Sequence, residues 1–169
     1  MNATLDAWNR ADDTSALEAM MACCGARRWA SAMVALRPVG SVIELSEAAD
    51  GAWAKMTEPD WMEAFACHPC IGERKSEQAF AKSAAWSWQE QSSVAAAATT
   101  ILAKLAEGNA QYKERFGFTY IVCATGKTAD EMLTILKRRL ANDRSAELRE
   151  AAEQQRQITQ IRLGKWLVE

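Results

Sequence analysis

Gly117-Phe118-Thr119-Tyr120-Ile121-Val122-Cys123-Ala124-Thr125-Gly126 is the stretch whose reading decides the fold class. From Phe118 to Ala124 it is a continuous apolar, β-branched and aromatic run between two glycines, the pattern of a buried strand. No second run of this kind is evident to pair with it. A lone extended segment must satisfy its N–H and C=O groups elsewhere, through helix ends, water or a ligand. The expectation is an all-α protein with one short extended apolar segment, and that segment is a candidate wall of a binding site.

The flanks support this. Downstream, Thr128-x-x-Glu131 is a capping box opening a helix with Met132, Leu133, Ile135, Leu136 and Leu140 inward. The last helix is expected from near Ser145 to about Trp166, with Leu148, Ala152, Ile158 and Ile161 as its apolar stripe. Upstream, Asn109 to Arg115 reads as a short helix ended near Gly117. A longer one is expected from the capping box Ser87-x-x-Glu90 through Val94, Ile101 and Leu105 to Gly108. The small residues Ala95–Ala98 within it permit close approach of a neighbour. Glu77 to Ala84 reads as another short helix, after a charged connection, Ile71-Gly72-Glu73-Arg74-Lys75.

Nearer the N-terminus, Thr57, Pro59 and Asp60 start a helix whose apolar residues are Trp61, Met62 and Phe65. Ser41-x-x-Glu44 opens the helix before it, with Val42, Leu45, Ala49 and Trp53 on one face. Arg27 to Leu36 is a further helix, stopped by Arg37-Pro38 and Gly40. Ser15-x-x-Glu18 reads as another capping box, with Gly25 ending its helix. No linker, repeat or low-complexity stretch interrupts the chain. The expectation is a single compact domain, 1–169, of about eight helices.

The totals bound the function. A chain of 169 residues with 49% hydrophobic and 25% charged residues suits one globular core. A net charge of −2 gives no footprint for nucleic acid or an anionic membrane. No apolar run reaches the roughly 18 residues of a membrane span, and Met1 to Arg10 lacks a secretory pattern. Five cysteines without framework spacing point to a reducing compartment. Seven tryptophans imply large apolar burial, and Trp8 and Trp166, near the ends, are candidates for a partner face.

The chain has one histidine, His68, in Ala66-Cys67-His68-Pro69-Cys70. Every task that needs imidazole falls to it. Pro69 biases His68 away from helical backbone, which places it at a helix end facing a loop. Three chemistries are open there. Cys67 and Cys70 have zinc-ligand spacing, but a matching second pair is missing, and the adjacent Cys23-Cys24 suit a shared tetrahedral site poorly. A Cys–His nucleophile is formally available, although adjacent side chains rarely meet. A carboxylate with the imidazole would form a proton-transfer pair at neutral pH. Ser76-Glu77-Gln78 and Ser87-Trp88-Gln89-Glu90-Gln91 both offer the carboxylate. Either is also explained as a helix N-terminus with its capping acid, and spacing does not choose between them.

Taken together, these residues resemble a known family. The pattern is His68-Pro69-x-Ile71-Gly72, then Ser87-x-x-Glu90-Gln91-Ser92, then Asn109-x-x-Tyr112-x-x-x-Phe116-Gly117-Phe118, then Tyr120-Ile121-Val122-Cys123-Ala124. It is similar to that of the 2-oxo-4-hydroxy-4-carboxy-5-ureidoimidazoline (OHCU) decarboxylases of urate degradation. The likeness extends to Trp29 and Arg37-Pro38 on one side. On the other it reaches Arg139-Leu140-x-Asn142, Glu147 and Ile158-x-x-Ile161-Arg162-Leu163. The short basic loop 71–75 and Tyr120, where phenylalanine is frequent, resemble bacterial-type variation.

The resemblance implies an all-helical, cofactor-free, metal-free carboxy-lyase, commonly a homodimer, that converts OHCU to (S)-allantoin and carbon dioxide. It assigns His68 and Glu90 as the catalytic pair and so makes Glu77 the decoy. It also implies substrate contacts from Pro69, Ser87, Gln91, the main chain of Tyr120, Ile121, Val122, Cys123 and Ala124, and Arg162. The chain closes on Leu167-Val168-Glu169 rather than a peroxisomal Ser-Lys-Leu, so a cytoplasmic location is expected. Two rivals stand beside this. One is a non-enzymatic helical interaction module using the tryptophans and the amphipathic C-terminal helix as binding faces. The other is a related decarboxylase with a different ureido or imidazoline substrate.

Overall fold

The computed structural model describes residues 2–69 and 99–169, and among these every regular element is a helix. In chain order they are α1 (Ala3–Arg10), α2 (Asp13–Cys23), α3 (Arg27–Ala35), α4 (Val42–Trp53), α5 (Glu58–Ala66), α6 (Thr99–Phe116), α7 (Ala129–Arg139) and α8 (Arg144–Trp166). The helices expected over 77–84 and at the Ser87 capping box lie outside the described residues. The chain groups into two compact units, Met1–Ala64 with Arg156–Glu169, and Phe65–Gln155.

In the first unit α1 packs on α2, α2 on α3 and α3 on α4. The tryptophans anchor it. Trp29 is fully buried and its Nε1 donates to the Ala49 carbonyl at 3.0 Å. Trp8 donates to the Ala16 carbonyl at 3.0 Å, so both of these indole N–H groups are satisfied inside the apolar core. Trp8 and Trp166 are both buried and meet edge to face with centroids 6.1 Å apart, so these two rings fill core rather than a partner face. Arg37 ties the loop after α3 to the end of α1, donating from Nη1 to the carbonyls of Trp8 (2.8 Å) and Ala11 (2.7 Å). On α8, Gln160 and Arg156 reach α4: Gln160 Nε2 donates to the Ser46 carbonyl at 2.9 Å, and Arg156 Nη1 to Asp50 Oδ2 at 2.9 Å.

Two expectations need correction here. The N-cap of α2 is Asp12, not Ser15: Ser15 donates its N–H to Asp12 Oδ1 at 2.9 Å and its hydroxyl to Oδ2 at 2.7 Å. A carboxylate three residues earlier is an acceptor with charge suited to a helix N-terminus, and it outcompetes the hydroxyl. Val42, placed on the buried face of α4, is 43% exposed, while Leu45, Ala49 and Trp53 are buried as expected. Ser41 does cap α4 by accepting from the Glu44 N–H at 3.1 Å.

In the second unit α6 packs on α7. The helix break expected at Gly108 is absent, since α6 is continuous to Phe116. Gly108 serves contact instead: a Cβ built there would lie 2.6 Å from Leu136 Cδ2 of α7. The helix tolerates the roughly 1 kcal/mol propensity cost of glycine because packing of the neighbour outweighs it. Gly117 does end α6, with φ 83 and its N–H bonded to the Lys113 carbonyl at 2.9 Å. The Thr128–Glu131 capping box is present with both reciprocal bonds. Phe65, Tyr112, Phe116, Phe118 and Tyr120 form an aromatic cluster with centroid separations of 4.7 to 6.2 Å.

Candidate active site

His68 follows the end of α5, where the sequence places it. The helix closes at Ala66, and the His68 N–H donates back to the Phe65 carbonyl at 3.1 Å. His68 and Pro69 are half-buried. The imidazole Nε2 is 2.7 Å from Oε1 of Gln155, which is fully buried on α8. Gln155 is a partner that the sequence reading missed.

The run 118–124 is neither helix nor strand, and residues Tyr120 to Ala124 are 1 to 6% exposed. Side chains from α7, α8 and the following turn take up part of its backbone polarity. Arg139 Nη1 donates to the Ile121 carbonyl at 2.6 Å, and the Cys123 N–H donates to Gln154 Oε1 at 2.9 Å. Lys127 donates from Nζ to the Cys123 carbonyl at 2.7 Å and from its backbone N–H to the Ala124 carbonyl at 3.0 Å. Gly126, with φ 78, turns the chain between these two residues. Three backbone groups of a strand-like segment are thus met by side chains, a solution that was not among those expected.

The guanidinium that holds Ile121 is itself held. Arg139 Nε donates to Glu147 Oε1 at 2.7 Å, and Glu147 also accepts from the Tyr112 hydroxyl and, at 2.8 Å, from Asn142 Nδ2. Arg139 Cζ lies 5.0 Å from the centre of the Tyr120 ring. Burial opposes the charge on Arg139, but its bond to Glu147 and the surrounding oxygens outweigh that and keep it firmly protonated. Burial pushes the phenols of Tyr112 and Tyr120 well above the ordinary tyrosine range.

Of the remaining expected site residues, Ser87, Glu90 and Gln91 lie outside the described residues, as do Glu77 and Cys70. Arg162 is 1% exposed on α8 in the first unit. Among the described residues there is no cluster of three His, Cys, Asp or Glu side chains fit for a metal, and Cys23, Cys24, Cys67 and Cys123 form no disulfide.

The arrangement is a lone imidazole whose Nε2 meets Gln155, and a buried segment whose main chain is held at defined points. Over residues 9–164 the sequence matches the family model described as OHCU decarboxylase. The chain belongs to the OHCU decarboxylase family. The uric acid degradation bifunctional protein TTL of Arabidopsis thaliana is 39% identical over 144 residues, covering 85% of this chain and 44% of that protein. The chain thus spans less than half of that relative's length. The 2-oxo-4-hydroxy-4-carboxy-5-ureidoimidazoline decarboxylase of Haloferax volcanii is 28% identical over 163 residues, covering 96% of this chain and 95% of that one. A crystal structure of OHCU decarboxylase in the presence of (S)-allantoin superposes with a TM-score of 0.77 at 34% identity, over 94% of this chain and all of that one.

Proposed function

We propose that this protein decarboxylates OHCU to (S)-allantoin and carbon dioxide, with His68 as the proton-handling group. The observation that carries the assignment is the family match over 9–164 together with the chain's one histidine, set at a helix end and held by Gln155 at 2.7 Å.

The substrate carries a carboxylate beside an imine. When the carbon–carbon bond to the carboxylate breaks, carbon dioxide leaves and the electron pair is delocalised toward the adjacent C=N. The substrate supplies its own electron sink, so the chemistry asks for no pyridoxal or thiamine. The protein must orient the carboxylate, stabilise the electron-rich intermediate and deliver one proton to one face. His68 polarises the substrate and assists the departure, with Glu90 as its carboxylate partner. Ser87, Gln91 and the main chain of 120–124 hold the ureido and ring polar atoms. Pro69 and Arg162 keep the contacts that the family resemblance implies, Arg162 toward an anionic group. The whole chain acts as one family domain, as a cytoplasmic homodimer.

The test is to generate OHCU enzymatically from urate, add the protein, and follow the ultraviolet decay and the optical activity of the allantoin. The wild type should give the S enantiomer, and His68→Ala should fold but lose most stereospecific formation; wild-type turnover in that variant would refute the assignment. Extensive chelation should leave the rate unchanged. Sedimentation should give twice the chain mass. Trp8, Trp29, Trp53 and Trp166 are buried, so these four rings offer no binding face to an interaction module.

A further inference from the structure

Gln154 and Gln155 are neighbours on α8, and each holds one part of the candidate site. Gln155 Oε1 lies 2.7 Å from His68 Nε2, and Gln154 Oε1 accepts from the Cys123 N–H at 2.9 Å. Consecutive Cα atoms are about 3.8 Å apart, so one short step of helix fixes the imidazole and the segment 120–124 to the same rigid element. Gln155 is 0% exposed and stands in phase with Leu148, Ala152 and Thr159, where an apolar residue would fill the core. Burying an amide costs roughly 1–3 kcal/mol when its bonds are not made, so this position is spent on something polar.

We infer that Gln154 and Gln155 are positioning residues of the decarboxylase, and that Gln155 fixes the neutral His68 as the tautomer protonated on Nε2. An amide oxygen facing Nε2 accepts a hydrogen bond, so that nitrogen keeps its proton and the lone pair of neutral imidazole lies on Nδ1. Gln154, by fixing the Cys123 amide, sets where the segment 120–124 stands relative to the same helix. The inference rests on His68 being the proton-handling group.

The chain's single histidine makes the test direct, because the imidazole nitrogens give one set of resonances in a 15N-labelled sample of the full chain. In the wild type, neutral His68 should show a hydrogen-bonded N–H on Nε2. Gln155→Leu should lose that protected signal while the protein stays folded, and Gln155→Glu, which keeps an acceptor oxygen, should retain it. Gln154→Leu should leave the His68 signal and move the Cys123 amide resonance. In the OHCU assay Gln155→Leu should lower kcat roughly 10- to 100-fold with a smaller change in KM. A proton on Nδ1 in the neutral wild type, or an unchanged imidazole spectrum in Gln155→Leu, overturns the inference. If OHCU is not turned over at all, the function falls while the nitrogen assignment is still decided by the spectrum.

Discussion

Arg139 and Glu147 meet with Nε 2.7 Å from Oε1, both shut off from solvent, and from that pair the guanidinium reaches on to the carbonyl of Ile121. A buried ion pair is weak evidence for stability, because desolvation cancels much of its attraction. Its use here is positional. It pins a segment that has no strand partner among the described residues to the end of α7.

Breaking the pair should therefore be costly. Arg139→Met or Glu147→Leu alone leaves a buried charge without its counter-ion and should destabilise by about 3–5 kcal/mol. The double variant should lose less than the sum, since neither charge remains. Chemical denaturation of the four proteins checks both statements; additive losses would show that the two residues act separately.

The two tyrosines of the chain predict its alkaline behaviour. Tyr112 and Tyr120 are both buried, and burial holds both phenols well above their ordinary value. A raised folded-state value means that the stabilisation is fully present below the unfolded value, near pH 10, and is lost as pH rises beyond it. Tyrosinate absorbance should stay flat until the protein unfolds, then rise together with the loss of helical circular dichroism. A tyrosinate transition that precedes unfolding would mean that at least one ring is open to solvent.

Gly108 tests the α6–α7 contact. Alanine there gains about 1 kcal/mol of helix propensity, but its Cβ would sit 2.6 Å from Leu136 Cδ2, and Leu136 is fully buried. Overpacking of this kind costs roughly 1–3 kcal/mol, so Gly108→Ala should lower Tm. Adding Leu136→Ala should turn the Gly108 substitution from destabilising to stabilising. A rise in Tm for the single variant would show that the helices part at little cost.

The choice between the two carboxylates is a kinetic question. Glu90→Gln should slow OHCU turnover by roughly 100-fold or more, in the range of general acid–base contributions, and Glu77→Gln should be near wild type. The reverse ranking would make Ser76-Glu77-Gln78 the true cluster.

Local signals carried much of the architecture. Ser41 and the Thr128–Glu131 box cap helices where expected, Gly117 ends α6, and His68 lies just past α5 ahead of Pro69. Each is a property of a few adjacent residues, which sequence states directly. The errors came where two local signals competed. Asp12 displaced Ser15 as N-cap, and Gly108 signalled a break where it provides a close approach.

The partners of the site were a different matter. The apolar stripe of α8 places Gln155 inward with Leu148 and Ala152, so its phase was legible, but its partner lies 87 residues away. Nothing local to Glu147 or Arg139 marks them as a buried pair; only the fold brings them together.

The sequence by itself determined most of the described helices, the lone histidine and the unusual apolar run, because helix period, capping chemistry and residue type act within a few residues. Only the tertiary structure decided what that run would bond to and what would hold the imidazole. A buried N–H or C=O must find a partner, but no local rule says which distant side chain the fold will bring to it. Here the fold brought Arg139, Gln154 and Lys127 to the segment and Gln155 to His68.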